Sequence, residues 1–156
     1  MTTFGPHLLG DMNGCRRDVM CDGMWVWSFM HDLVNQLDMR RIGDPHLDLY
    51  SGPHKEWAGY SATIHIQTSH ITAHFFAFGY VFLDIFSCKP FDQEKAKGYV
   101  RELLRPTSER WQNVERGFMF PPELLETPPC PRCGSIERWV GEGDVSWCSD
   151  CGLMEG

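Results

Sequence analysis

GYSATIHIQTSHITAHFFAFGYVFLDIFSC, residues 59–88, is the stretch on which the fold turns. Its first part, 60–67, alternates. Ala62, Ile64 and Ile66 fall on one face and Ser61, Thr63, His65 and Gln67 on the other, the period of a half-buried antiparallel strand. Its last part, 79–87, is nearly continuous in apolar residues (Val81, Phe82, Leu83, Ile85, Phe86) and ends in Ser87-Cys88, as a more buried strand does. Between the two, Thr68-Ser69-His70 and His74 fall where the sequence predicts that the chain turns from one strand towards the next. A hydroxyl, two imidazoles and a downstream thiol beside one turn are the raw materials of nucleophilic or proton-transfer chemistry.

Upstream, residues 3–12 read as a first strand ending at Asn13-Gly14. Asp22 is placed to cap a helix over 23–38, in which Val26, Phe29, Met30, Leu33 and Leu37 recur at helical spacing. Met24, Trp25 and Trp27 widen that stripe and predict a helix covered on more than one side. Residues 39–50 read as a strand interrupted at Gly43-Asp44-Pro45, and Ser51-Gly52-Pro53 marks a turn. Downstream, Asp92 caps a helix over 93–104 with Ala96, Tyr99, Val100, Leu103 and Leu104 on one stripe, and Pro106 ends it. Residues 109–119 add a last strand. The pattern predicts an α+β fold, a two-layer sandwich of an antiparallel sheet and two helices, over residues 1–118. A proline-rich linker, 119–129, separates it from a small module at 130–156.

The 156 residues, 42% apolar, suffice for one real core and an appendage. No apolar run approaches the roughly 18 residues of a membrane span, and the N-terminus lacks a basic-then-apolar signal. The expectation is a soluble cytoplasmic protein with no membrane partner. A net charge of −7 argues against broad nucleic-acid binding, which needs a basic surface.

Four of the seven cysteines form two CxxC pairs, Cys130/Cys133 and Cys148/Cys151, with fourteen residues between Cys133 and Cys148 and a glycine after each pair. Four thiolates so spaced suit tetrahedral zinc, a four-cysteine zinc ribbon, in a reducing compartment rather than a disulfide framework. The glycines allow a positive-φ turn that aims amides at sulfur. So small a unit has little apolar core, so its metal would fold it. From Glu123 onward seven acids face two bases, and zinc with four thiolates adds two negative charges. The ribbon therefore reads as a structural cap or a docking tab for a protein partner. Trp139 and Trp147 read as packing against its hairpin rather than stacking on bases.

Several motifs of the larger domain carry a family likeness. They are Gly5-Pro6-His7-Leu8 with Asp11 and Cys15, Thr68-Ser69-His70, Ile71-Thr72-Ala73-His74, Gly79-Tyr80, Asp84-Ile85-Phe86-Ser87-Cys88 and Glu115-Arg116-Gly117. In this order, over about residues 4–117, the chain resembles prokaryotic S-adenosylmethionine decarboxylase, a pyruvoyl enzyme of polyamine (spermidine) synthesis. Decarboxylation at an α-carbon needs an electron sink, and a carbonyl condensed with the substrate's amine provides one. The resemblance implies that the chain makes that carbonyl itself. Ser69 attacks the carbonyl of Thr68, amide becomes ester, and elimination followed by hydrolysis leaves a pyruvoyl group at residue 69. It further implies that His74 removes the α-proton in the elimination, that Cys88 reprotonates product, and that Ser61 assists processing.

Ser61 and Ser69 stand eight residues apart, about 26 Å along one straight strand at 3.3 Å per residue. They share a site only if the chain turns back or a second subunit supplies one of them. The family's homodimer with composite sites implies that Ser61 and His74 face the partner's Ser69 and Cys88. Three positions depart from the family pattern. Thr68 replaces a glutamate before the serine. Phe75-Phe76-Ala77-Phe78 replaces Thr-Trp-Pro-Glu, shortened by one residue and without the carboxylate that holds the substrate's ribose. Lys55 stands where an aromatic meets the adenine, leaving Trp57 or Phe76 to take that place.

Plainer readings stand beside these. A serine in a turn is usually a turn hydroxyl, and a cysteine at a strand end is a small buried hydrophobe. By the same logic His65 and His70 read as structural and Cys15 and Cys21 as core. Two alternative functions follow: a pyruvoyl decarboxylase of another amino acid, or an unprocessed relative serving as a protein-binding scaffold through its dimer surface and ribbon.

Overall fold

The computed structural model describes residues 4–119 and, beyond them, 131–132, 138–140, 146–148, 152 and 154–155. The chain divides into two compact units, with the break between Phe118 and Met119.

The first unit is a six-stranded antiparallel sheet with helices on one face. Its strands are β1 (Gly5–Asn13), β2 (Arg41–Tyr50), β3 (Gly59–Ile66), β4 (Ser69–Phe76), β5 (Tyr80–Ser87) and β6 (Ser108–Arg116), in the order β2-β3-β4-β5-β1-β6. Among the described residues there are three α-helices: α1 (Arg17–Met20), α2 (Gly23–Gln36) and α3 (Gln93–Leu104). The two-layer α+β architecture is the expected one, with the short α1 in addition. The larger difference is β4. The stretch expected to turn between two strands is itself a full strand, paired along its whole length with β3 on one side and β5 on the other.

Asp22 caps α2 by accepting hydrogen bonds from the amides of Met24 and Trp25, and Asp92 caps α3 through the amide of Lys95. Val26, Phe29, Met30, Leu33 and Val34 of α2 and Ala96, Val100 and Leu104 of α3 are buried against Ala62, Ile64, Ile66, Ile71, Ala73, Phe75, Val81, Leu83 and Ile85 of the sheet. Phe29 knits the layers together. Its ring meets Phe75 edge-on at 5.5 Å and stacks on Tyr99 at 5.8 Å. Trp25 joins this cluster, but Met24 is 71% exposed, so α2 is not covered on that side. Cys15 is buried as expected, whereas Cys21, just past the end of α1, is exposed.

Because side chains alternate along a strand, the sheet's other face carries the opposite set: Ser61, Thr63 and His65; His70, Thr72, His74 and Phe76; Tyr80, Phe82, Asp84 and Phe86; and His7. None of the three helices covers this face. Tyr80, Phe82 and Val114 are exposed upon it. Outermost strand β2 shifts register between Ile42 and His46, where Gly43-Asp44-Pro45 interrupts it.

The second unit contains a three-stranded antiparallel sheet, β7 (Arg138–Val140), β8 (Ser146–Cys148) and β9 (Met154–Glu155). Gly152 has φ +69°, the positive-φ conformation expected after the second cysteine pair, and its amide donates to the carbonyl of Cys148 at 2.9 Å. Cys148 is buried. The other expected zinc ligands, Cys130, Cys133 and Cys151, lie outside the described residues, as does the 120–129 stretch of the expected linker. Among the described residues no group of three or more His, Cys, Asp or Glu side chains gathers as a metal site.

Candidate active site

Strands β3 and β4 join through the two residues Gln67 and Thr68, with Ile66 paired to Ser69. The Thr68–Ser69 peptide therefore leaves a tight hairpin turn and enters β4 directly. Ser69 has φ +150°, a region that only glycine occupies freely, so its backbone is held against its preference. The neighbours explain how. The carbonyl of Thr68 accepts a hydrogen bond from the amide of Cys88 at 2.9 Å. Ser87, 1% exposed and paired with Ser69, donates its hydroxyl to Thr68 Oγ1 at 3.0 Å and accepts from the amide of Lys89 at 3.1 Å. Residue 68 is thus tied down by backbone and side chain together, and its threonine hydroxyl satisfies the buried Ser87. Gly5, also buried, allows this closeness: a Cβ there would strike the Ser87 carbonyl and the Cys88 Cα.

Ser69 Oγ lies 3.1 Å from Nδ1 of His70. The sequence reads this imidazole as structural and does not foresee the contact; adjacency to Ser69 was its only signal. His70 meets Phe86 at 5.8 Å, edge-on, and pairs with His65 across β3. Burial first, and then His7, Arg116 and His65, hold its pKa below the usual histidine value, with Asp84 pulling the other way. His7 Nε2 lies 3.2 Å from Asp84 Oδ1, and the Arg116 guanidinium sits 4.3 Å over the Phe86 ring. The His7 of the opening motif so finds its partner on β5.

Ser61 and His74 pair directly across β3 and β4, with Ser61 Oγ 2.8 Å from His74 Nδ1. They lie five residues along β4 from Ser69, roughly 16 Å at 3.3 Å per residue. The four sequence-identified residues therefore form two pairs in one chain. Ser69 and Cys88 belong to the turn end, Ser61 and His74 to the far end. The chain does fold back, and still the two serines do not meet. Phe76 continues the far end, 6.2 Å from the His74 ring and 5.5 Å from Phe82. Trp57, in a single 3-10 turn (Lys55–Trp57), is 61% exposed and rests on His54 at 5.2 Å.

An antiparallel sheet roofed by helices on one face, with a strained serine at the head of a central hairpin strand, defines the class. The fold is that of the crystal structure of the adenosylmethionine decarboxylase from Aquifex aeolicus VF5, matched with a TM-score of 0.66 and 23% identity over 76% of this chain and 94% of that one. The sequence profile of the S-adenosylmethionine decarboxylase family matches residues 6–117, and the chain belongs to that family of decarboxylases. Similar proteins include the S-adenosylmethionine decarboxylase proenzyme of Clostridium botulinum (strain Langeland), 29% identical over 106 residues, 67% of this chain and 86% of the relative. That of Syntrophomonas wolfei is 29% identical over 128 residues, 79% of this chain and 94% of the relative.

Proposed function

We propose that the chain is a self-processing proenzyme, cleaved at Thr68–Ser69, whose mature form decarboxylates S-adenosylmethionine for spermidine synthesis. One observation carries this reading. The carbonyl that Ser69 must attack is gripped by the Cys88 amide at 2.9 Å, and the attacking residue is held at φ +150°. A donor on that oxygen stabilises the negative charge that gathers there as the hydroxyl adds. Rearrangement of residue 69 also releases its backbone strain, worth about 1–3 kcal/mol.

The residues fit the group they would generate. A pyruvoyl carbonyl at residue 69 supplies the sink into which the electrons of the departing carboxylate flow. Cys88 follows Ser87, the strand partner of Ser69, and is assigned the reprotonation of product. The Ser61 hydroxyl on Nδ1 orients the His74 ring for removing the Ser69 α-proton. Since this pair sits far from its own Ser69, the reading requires a homodimer. Two copies stacked through the open sheet face about a two-fold axis across the strands bring the far end of one over the turn end of the other. Phe76, beside His74, then flanks the substrate, with Trp57 as the second aromatic. The C-terminal module is read as a four-cysteine zinc ribbon that docks a protein partner.

The aromatic stretch 75–78 carries no carboxylate for the ribose, which favours as a second reading a pyruvoyl decarboxylase of another amino acid. Intact-mass spectrometry tests the core of the proposal. Wild-type protein yields two fragments parting at Thr68/Ser69, borohydride adds mass to the C-terminal one, Ser69→Ala stays whole, and native spectra hold one zinc per chain. A wild-type chain that stays whole after long incubation leaves a scaffold instead. After cleavage, CO2 release from S-adenosylmethionine against ornithine and arginine decides the substrate.

A further inference from the structure

We infer that His70 is the base that starts the cleavage, taking the hydroxyl proton of Ser69 and handing it to the nitrogen that leaves. This rests on the reading of Thr68–Ser69 as the bond broken. With its ring proton on Nε2, His70 presents the Nδ1 lone pair to Ser69 Oγ at 3.1 Å, within reach of direct transfer.

The step balances without outside reagents. The Oγ–H bond breaks towards Nδ1 as the Oγ–C bond to Thr68 forms, and the carbonyl electron pair moves onto the oxygen held by the Cys88 amide. On collapse the C–N bond breaks and the imidazolium proton passes to the Ser69 nitrogen. The products are an ester, a free amine and neutral His70.

The surroundings suit a base. His65 lies opposite on β3, Phe86 on β5, and His7, Arg116 and Asp84 complete the charged and titratable groups acting on it from β1, β6 and β5. Burial and the cationic side of this set keep the ring neutral at pH 7. His74 serves differently. It is bonded to Ser61 at the other end of the strand, and its assignment is the later removal of the α-proton.

The two roles separate by the intermediate that accumulates. Full-length wild type, His70→Ala, His70→Asn and His74→Ala are followed by intact mass, with and without hydroxylamine, which cuts an ester but not an amide. Both His70 variants are expected to cleave at least about 100-fold more slowly. They should show no hydroxylamine-sensitive ester, while His74→Ala accumulates one. Added imidazole should speed His70→Ala but not His70→Asn, whose amide fills the space and cannot accept the proton. The wild-type rate should fall with acid only below the usual histidine range, and His70→Ala should lose that limb. Wild-type cleavage accompanied by normal cleavage in His70→Asn, or by ester build-up in either His70 variant, overturns the inference alone. An uncut wild type removes the processing reading as well.

Discussion

Cys15 is a small case of what one side chain can report. It follows the tight turn at Gly14 (φ +67°), and it is buried beneath the sheet's helical layer. Burial, with help from the negative charge of Glu109, pushes its thiol up from 9.0 to about 11. The unfolded chain gives up this proton near 9 and the folded one does not, so the contribution to stability is whole below pH 9 and is lost as pH rises through about 11. Urea midpoints measured from pH 8 to 10 should therefore fall more steeply for wild type than for Cys15→Ala. Tyr99, raised to about 12 by burial first and then by Asp32 and Glu102, adds its own loss only above pH 10 and is common to both proteins. Matching slopes would show that Cys15 is not held as the structure has it. At this scale the sequence was readable for identity and not for posture. Ser69, His74, Cys88 and Ser61 stand out in the sequence through their motifs, as the residues on which the proposed function rests. The φ of Ser69 and the grip on the Thr68 carbonyl go with pairing to β5, beyond the reach of any local pattern, while the closeness of His70 was signalled only by adjacency.

Among the elements, α2 and the β3–β4 hairpin do the most. Phe29, 2% exposed, is the one α2 ring touching both the sheet, through Phe75, and α3, through Tyr99. Phe29→Ala should lower stability by about 3–5 kcal/mol, read from urea unfolding. A loss under about 1 kcal/mol would mean that the two layers do not meet at this ring. The helices were legible because their stripes are long and their Asp caps unambiguous; 93–104 is reproduced to the residue. Strand β4 was not. Its buried phase includes the small Ala73, its outward phase ends in Phe76, and the turn before it, Gln67-Thr68, lacks the Asn-Gly or Gly signature of a two-residue hairpin. An alternation blurred at its end by adjacent phenylalanines reads as no alternation.

For the molecule as a whole, the separation of Ser61/His74 from Ser69/Cys88 makes assembly a matter of chemistry under the proposed function. If sites are composite, a Ser69→Ala subunit still carries a sound Ser61/His74 end, and a His74→Ala subunit still carries a sound Ser69. Neither variant should process alone. Refolded together, the His74→Ala chains paired with Ser69→Ala chains should cleave, and mass distinguishes the two. Failure of the mixture, with dimers present by light scattering, would place all four residues' work within one chain. The outline of the first unit was legible from the order of strands and helices. That none of the described helices covers its other face was only implicit, because a sequence states which residues leave the core and not whether something else covers them.

The break in β2 bears on how such copies find one another. Gly43-Asp44-Pro45 displaces the register of the outermost strand, and Arg41 clasps Asp44 across the gap at 2.7 Å. Proline offers no amide, and a kinked, charged rim cannot template a neighbouring strand. A freshly made chain with a broad aromatic plain exposed would otherwise risk growing rim to rim into fibres. Closing that border shields one rim of the sheet from strand-to-strand growth; β6 forms the other.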